Sequence, residues 1–143
     1  MPTVSLFVRV LIPICLLFGG LPSKGLAQAF PVQDTTKNDQ VLVDFADVFE
    51  FIQEGDSTVQ RLLGNVEMRQ DSVYFYGDTA IIVNEVDINA YGNVLIQQGD
   101  SLSIFGDSLV YQGENKIADL YGDVVLINKG QKLFTDRLNY DLN

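Results

Sequence analysis

Four aspartates recur in one apolar context, and that recurrence constrains this chain more than any other feature. Asp47, Asp78, Asp107 and Asp136 stand 31, 29 and 29 residues apart. Each lies in the same pattern, Phe45/Asp47/Phe49/Phe51, Tyr76/Asp78/Ala80/Ile82, Phe105/Asp107/Leu109/Tyr111 and Phe134/Asp136/Leu138/Tyr140. A second pattern falls between them: Leu62/Gly64/Val66/Met68, Ala90/Gly92/Val94/Ile96 and Leu120/Gly122/Val124/Leu126. Its tags are Gly64-Asn65-Val66, Gly92-Asn93-Val94 and Gly122-Asp123-Val124. Apolar residues at every second position line one face only in a strand, so each repeat is two strands. Turn signals separate them at Glu54-Gly55-Asp56, Gln98-Gly99-Asp100, Gln112-Gly113-Glu114-Asn115 and Asn128-Lys129-Gly130. No proline occurs after Pro31 and no window carries an apolar helical stripe. The fold is therefore all-β and repeat-built, with units that must stack because one alone cannot bury its apolar face.

The N-terminus reads as an export signal. Arg9 precedes an apolar run from Val10 to Phe18 that contains Pro13, and Ala27-Gln28-Ala29 has the small-x-small form of a signal-peptidase site. A run of about a dozen residues is short of the roughly 20 that span a membrane. Residues 1–29 are thus expected to be a cleaved signal peptide, residues 30–40 a polar, aperiodic lead-in, and residues 41–143 the repeat domain. The one cysteine, Cys15, lies in the leader, and the apolar run continues past it, unlike a lipidated cysteine at the head of a polar chain.

Composition narrows function by exclusion. The chain has 9 basic and 19 acidic residues, a net charge of -10, and loss of Arg9 and Lys24 with the leader makes it more acidic still. Binding nucleic acid by neutralising phosphates does not fit that charge. The absence of histidine, and of cysteine beyond the leader, removes the usual zinc ligands, thiol nucleophile and disulfide staple. The recurring aspartates interrupt an apolar stripe in the same register each time. A carboxylate so placed must be hydrogen-bonded or stand where the strand bends out to water. Gly77 and Gly106, directly before Asp78 and Asp107, favour a bend or bulge, and no catalytic role is assigned to these residues.

Two layers of such strands enclose an apolar trough, filled either by its own side chains or by a lipid. Val94, Ile96, Phe105, Leu109, Tyr111, Val124, Leu126, Leu138 and Tyr140 are the residues expected to line it.

The segments Leu63-Gly64-Asn65-Val66, Tyr91-Gly92-Asn93-Val94 and Tyr121-Gly122-Asp123-Val124, phased with the Asp strands, resemble the OstA-like family over residues 41–143. That family includes the lipopolysaccharide-transport protein LptA and the N-terminal domain of LptD. The resemblance implies an antiparallel β-jellyroll without enzymatic activity or cofactor. It also implies a periplasmic location, an interior that holds the acyl chains of lipopolysaccharide, and head-to-tail joining with other jellyroll proteins into a bridge to the outer membrane. With room for only seven or eight strands and an end at Asp141-Leu142-Asn143 straight after a strand, the expectation includes an incomplete jellyroll, as a fragment of a longer protein or as a half that a partner completes head to tail. An acidic carrier repels lipid phosphates, so bases are expected at the rim, and Arg61, Arg69, Lys116, Lys129, Lys132 and Arg137 are those within the repeats.

Two other classes fit parts of the sequence. Five Gly-Asp pairs admit a calcium-stabilised extracellular β-solenoid or adhesin, although without the nine-residue spacing of a calcium-binding β-roll. A carbohydrate-acting enzyme would need a distinctive carboxylate pair, and the acids here recur in every repeat as structural residues do.

Overall fold

The computed structural model describes residues 39–143. The expected leader and all but the last two residues of the lead-in lie outside them. Eight strands follow in order: β1 (Leu42–Phe45), β2 (Val48–Glu54), β3 (Ser57–Gln70), β4 (Val73–Val83), β5 (Asp87–Gln98), β6 (Leu102–Gln112), β7 (Ile117–Asn128) and β8 (Gln131–Asp141). All belong to one antiparallel sheet that does not close, and there is no helix among the described residues. From β3 onward each strand pairs with the next in sequence. β1 pairs with the second half of β3 and β2 with the first half, so together they make one bent edge strand.

Every long strand is interrupted at its middle. The register shifts between Leu63 and Val66, Tyr76 and Thr79, Tyr91 and Val94, Phe105 and Ser108, and Tyr121 and Val124. These bulges line up across the sheet and crease it. In a flat meander the β3–β4 and β6–β7 turns would lie at opposite ends, a strand of 11 residues or about 35 Å apart. Instead Lys116 Nζ lies 2.7 Å from Asp71 Oδ2, and the Phe75 and Tyr111 rings meet at 4.7 Å. The sheet is therefore folded over along the crease into two layers.

Between the layers lies one apolar core. Leu62, Phe75, Ile82, Ile88, Ile96, Ile104, Leu109 and Leu120 are fully buried. Three of the four predicted turns that separate the repeats contain a glycine at positive φ, namely Gly55, Gly99 and Gly130. Two further turns have no glycine and were not legible as turns. At Asn84-Glu85 both residues take positive φ, as a tight hairpin of the I′ kind requires, and Asp71 does the same between β3 and β4.

Candidate functional site

The crease is built from the two residue patterns that define the repeat. Each Gly-Asn tag bulges out of its strand in the left-handed region, with φ of 78° at Gly92 and 47° at Asn93. The aspartate of the preceding strand lies on that glycine. A Cβ at Gly92 would stand 2.6 Å from Asp78 Oδ2, so both the dihedral and the close approach demand glycine. Asp47 over Gly64 and Asp107 over Gly122 repeat the contact. Asn65 Nδ2 donates to Asp47 Oδ2 and Asn93 Nδ2 to Asp78 Oδ2, each at 2.9 Å. The recurring aspartates are thus exposed residues at the corner, and Asp47 and Asp78 are hydrogen-bonded there. Among the described residues no three acidic side chains converge to hold a cation, so the Gly-Asp pairs lend no support to a calcium solenoid.

The crease also decides which side chains face inward, and here one expectation is overturned. Val94, Ile96, Leu109, Tyr111 and Val124 are buried between the layers, and Leu126, Leu138 and Tyr140 are half-buried there. Phe105 is not among them: it is 40% exposed, paired with Leu95 and Val125 on the outer surface. Alternation cannot be carried through the Asp strands. In β6, Leu102 and Ile104 face inward before the bulge and Leu109 and Tyr111 after it, an odd step that reverses the face at Gly106-Asp107. Phe45, Tyr76 and Phe134 stand on the same outer row for the same reason. In the Gly-Asn strands the bulge adds one residue against the partner, so Leu62, Val66 and Met68 stay on one face. Phe75 and Ile104, absent from the expected lining, are the interior residues this reversal brings in.

The core is closed where the two layers meet opposite the crease. Gln70, 1% exposed, donates from Nε2 to the Asp39 and Gly113 carbonyls and accepts at Oε1 from Tyr111 Oη at 2.6 Å. Burial, then the nearby charges of Asp71 and Asp39, push the Tyr111 phenol far above its ordinary range, so it stays a neutral donor. Lys116–Asp71 covers this group from outside. Neither Gln70 nor the donor role of Tyr111 was legible, because the pairing joins residues 41 apart across the layers.

The interior is not uniform along the stack. From β3 to β7 most inward side chains are buried, Leu62, Phe75, Ile96, Ile104 and Leu120 completely. At the β8 end the inward Leu133, Leu138 and Tyr140 of β8, with Leu126 of β7 opposite Leu133, are partly open, Leu133 being 48% exposed. At the β2 end Phe49 and Phe51, paired with Leu62 and Gln60, are similarly open. Of the six bases, Arg61, Arg69, Lys116 and Arg137 are engaged with Glu50, Asp44, Asp71 and Asp119. Lys129 and Lys132, exposed at the β7–β8 turn, form no ion pair among the described residues.

The comparisons agree with this construction. No curated protein matches the chain. Among solved structures it is similar to LptH of Pseudomonas aeruginosa, described as the LptA-homologous periplasmic component of the lipopolysaccharide transport device. The TM-score is 0.61 at 20% identity, over 73% of this chain and 78% of that one, a likeness of fold. The model of the OstA-like protein family matches residues 38–143, which takes in every strand, the crease and both open ends, and the chain belongs to that family.

Proposed function

We propose that this protein is an exported, periplasmic component of a lipopolysaccharide-transport bridge, holding acyl chains against its apolar interior and performing no chemistry. The observation that carries this reading is the open inward row at the β8 end, where Leu133, Leu138 and Tyr140, with Leu126 of the neighbouring β7, continue the core but leave it unfinished. An acyl chain laid there leaves water, a gain of about 0.8 kcal/mol per CH₂. Lys129 and Lys132 beside that opening supply positive charge for lipid phosphates on an otherwise acidic protein. Family membership and the likeness to LptH support the assignment. The leader of residues 1–29 accounts for export. Joining to other jellyroll proteins through strand edges would extend the apolar path in both directions, since β8 and β1–β2 each leave an unpaired edge among the described residues.

The test is photocrosslinking in cells, with the photoreactive residue at Leu138, which faces inward, or at its outward neighbour Asn139. Lipopolysaccharide adducts from Leu138 and not Asn139 are the expected result. A folded, exported protein that crosslinks lipid from neither position, or equally from both, would overturn the reading.

A further inference from the structure

On the outside of the crease an apolar row crosses the sheet at right angles to the strands. Tyr76 pairs with Leu95, Leu95 with Phe105, and Phe105 with Val125, on the outer face of β4 to β7. Each of these strands is hydrogen-bonded on both sides, so their exposure belongs to the face and not to an edge. An open depression of about 530 Å³ lies along the row. Tyr76, Leu95 and Phe105 give it an apolar floor, and the corner residues Asn93, Asp107 and Asp123 line its crease side. The arrangement recurs two strands on, where Asp123, Val125, Phe134 and Asp136 line a depression of about 430 Å³. The carboxylates along the row are not neutralised: among the described residues Glu67, Asp78, Asp107 and Asp123 form no ion pair. At two corners the tag asparagine, Asn65 or Asn93, donates to the aspartate beside it. The third corner has Asp123 in that place, so Asp107 is left with a second carboxylate beside it instead of a donor.

An apolar row flanked by unneutralised carboxylates is complementary to a ligand that is both apolar and cationic. Spacing selects the conformation of that ligand. The depressions recur every second strand, a step of about 9.6 Å. A polyproline II segment has three residues per turn and rises about 3.1 Å per residue, so one of its faces presents a side chain every ~9.3 Å. A β-strand presents one every ~6.7 Å and an α-helix one every ~5.4 Å, and neither matches the step. Polyproline II segments also dock on aromatic-lined surfaces, since they are extended before they bind. We propose that this outer row docks a proline-rich, basic segment of another protein in the polyproline II conformation. The segment crosses the strands, with every third residue an apolar one seated in the depressions and with Lys or Arg against Asp107 and Asp123. The site lies on the outer face, uses no strand edge and is independent of the lipid reading.

The probe is a synthetic peptide of repeating Arg-Pro-Leu, about 12 residues and ~37 Å long in that conformation. It is added to the full chain, and binding is followed by fluorescence anisotropy and by amide NMR shifts. We expect shifts at Tyr76, Leu95 and Phe105. Asp123→Asn gives the third corner the residue that the other two have, so the fold is kept, and it should weaken binding several-fold. Asp56→Asn, the same change of charge at the exposed β2–β3 turn, should weaken it less than about twofold, because salt screens the more distant charge. Phe105→Ala should weaken binding about tenfold, whereas Val110→Ala, exposed on the outer face beyond the crease, should not. Replacing each proline of the peptide by glycine should cost about tenfold, since the flexible chain must be ordered on binding. Equal weakening by Asp123→Asn and Asp56→Asn would mean a general attraction to an acidic protein and would overturn the site. Equal binding of the glycine peptide would overturn the polyproline II conformation. Shifts confined to β2 or β8 would mean strand pairing instead. The same shifts produced by self-association of the chain, or by phosphatidylcholine vesicles, would overturn the choice of occupant. A peptide that does not bind overturns the proposal and leaves the lipid crosslinks at Leu138 to be judged separately.

Discussion

The centre of the stack and its β8 end use the same residue types in the same alternation, yet one is sealed and the other open. Leu109 and Leu120 are fully buried, while Leu138, opposite Leu120 in the sheet, is only partly so. The difference lies in the number of neighbours, since a strand flanked on both sides has its inward side chains covered and an edge strand does not. In a stacked-repeat protein, stability is a sum over neighbouring units, so the ends are where apolar interior is both cheapest to disturb and accessible to another molecule. That contrast separates what holds this protein together from what it offers to others.

The largest effect that would sharpen or break the contrast is truncation at equivalent positions. Leu109→Ala should lose about 2 to 5 kcal/mol in chemical denaturation, as buried Leu→Ala changes do. Leu138→Ala should lose less than half as much. Equal losses would mean that the β8 end is as tightly packed as the centre, and the opening would no longer be a place for an acyl chain.

Next in size is the crease. Gly92 and Gly130 both have φ near 79°, but a Cβ at Gly130 meets nothing within 4 Å, whereas one at Gly92 meets Asp78. Gly130→Ala should therefore cost only the backbone term, about 1 to 2 kcal/mol. Gly92→Ala should cost that and more, and Asp78→Ala in the same chain should return part of the excess. If the two alanine variants are equally destabilised, the aspartate is not packed on its glycine.

These corners also show what could be read from the sequence and what could not. The all-β class, the repeat period and the role of the aspartates at a bend follow from spacing and from glycine placement. Five of the nine residues expected to line the interior are buried there and three more are half-buried. Phe105 was misplaced because period two says which residues share a face only while the strand stays regular. One bulge of odd length reverses it, and Gly106-Asp107 does not announce whether a bend will shift the face. Val73-x-Phe75-x-Gly77 and Leu102-x-Ile104-x-Gly106 hold the missing signal, a second alternation that ends at the glycine. The Gln70–Tyr111 closure was out of reach altogether, since it depends on how far the sheet folds over.

That closure gives a smaller, pH-dependent prediction. The folded Tyr111 phenol holds its proton more tightly than the unfolded one, which titrates near pH 10. The stability from the neutral buried phenol is thus complete below about pH 10 and is lost as pH rises above it, because the unfolded chain releases the proton first. Tyr111→Phe should cost about 1 kcal/mol at neutral pH for the lost hydrogen bond to Gln70, and should flatten the alkaline fall in melting temperature. An unchanged alkaline limb would show that Tyr111 is not the group responsible.

The smallest effect concerns Asp71, which acts on the closure in two opposed ways. It pairs with Lys116 at 2.7 Å, and its own side chain is 48% exposed, so Asp71→Asn should cost less than about 1 kcal/mol at neutral pH. It also stands second to burial among the causes that hold the Tyr111 proton in place. Without its negative charge the folded phenol ionises at lower pH, closer to the unfolded value, and less stability is lost on the alkaline side. The variant should therefore be slightly weaker than the parent at pH 7 and lose less as pH rises beyond 10. A neutral-pH cost with an unaltered alkaline slope would mean that burial and Asp39 control Tyr111, leaving Asp71 and Lys116 as a surface pair that does not tune it.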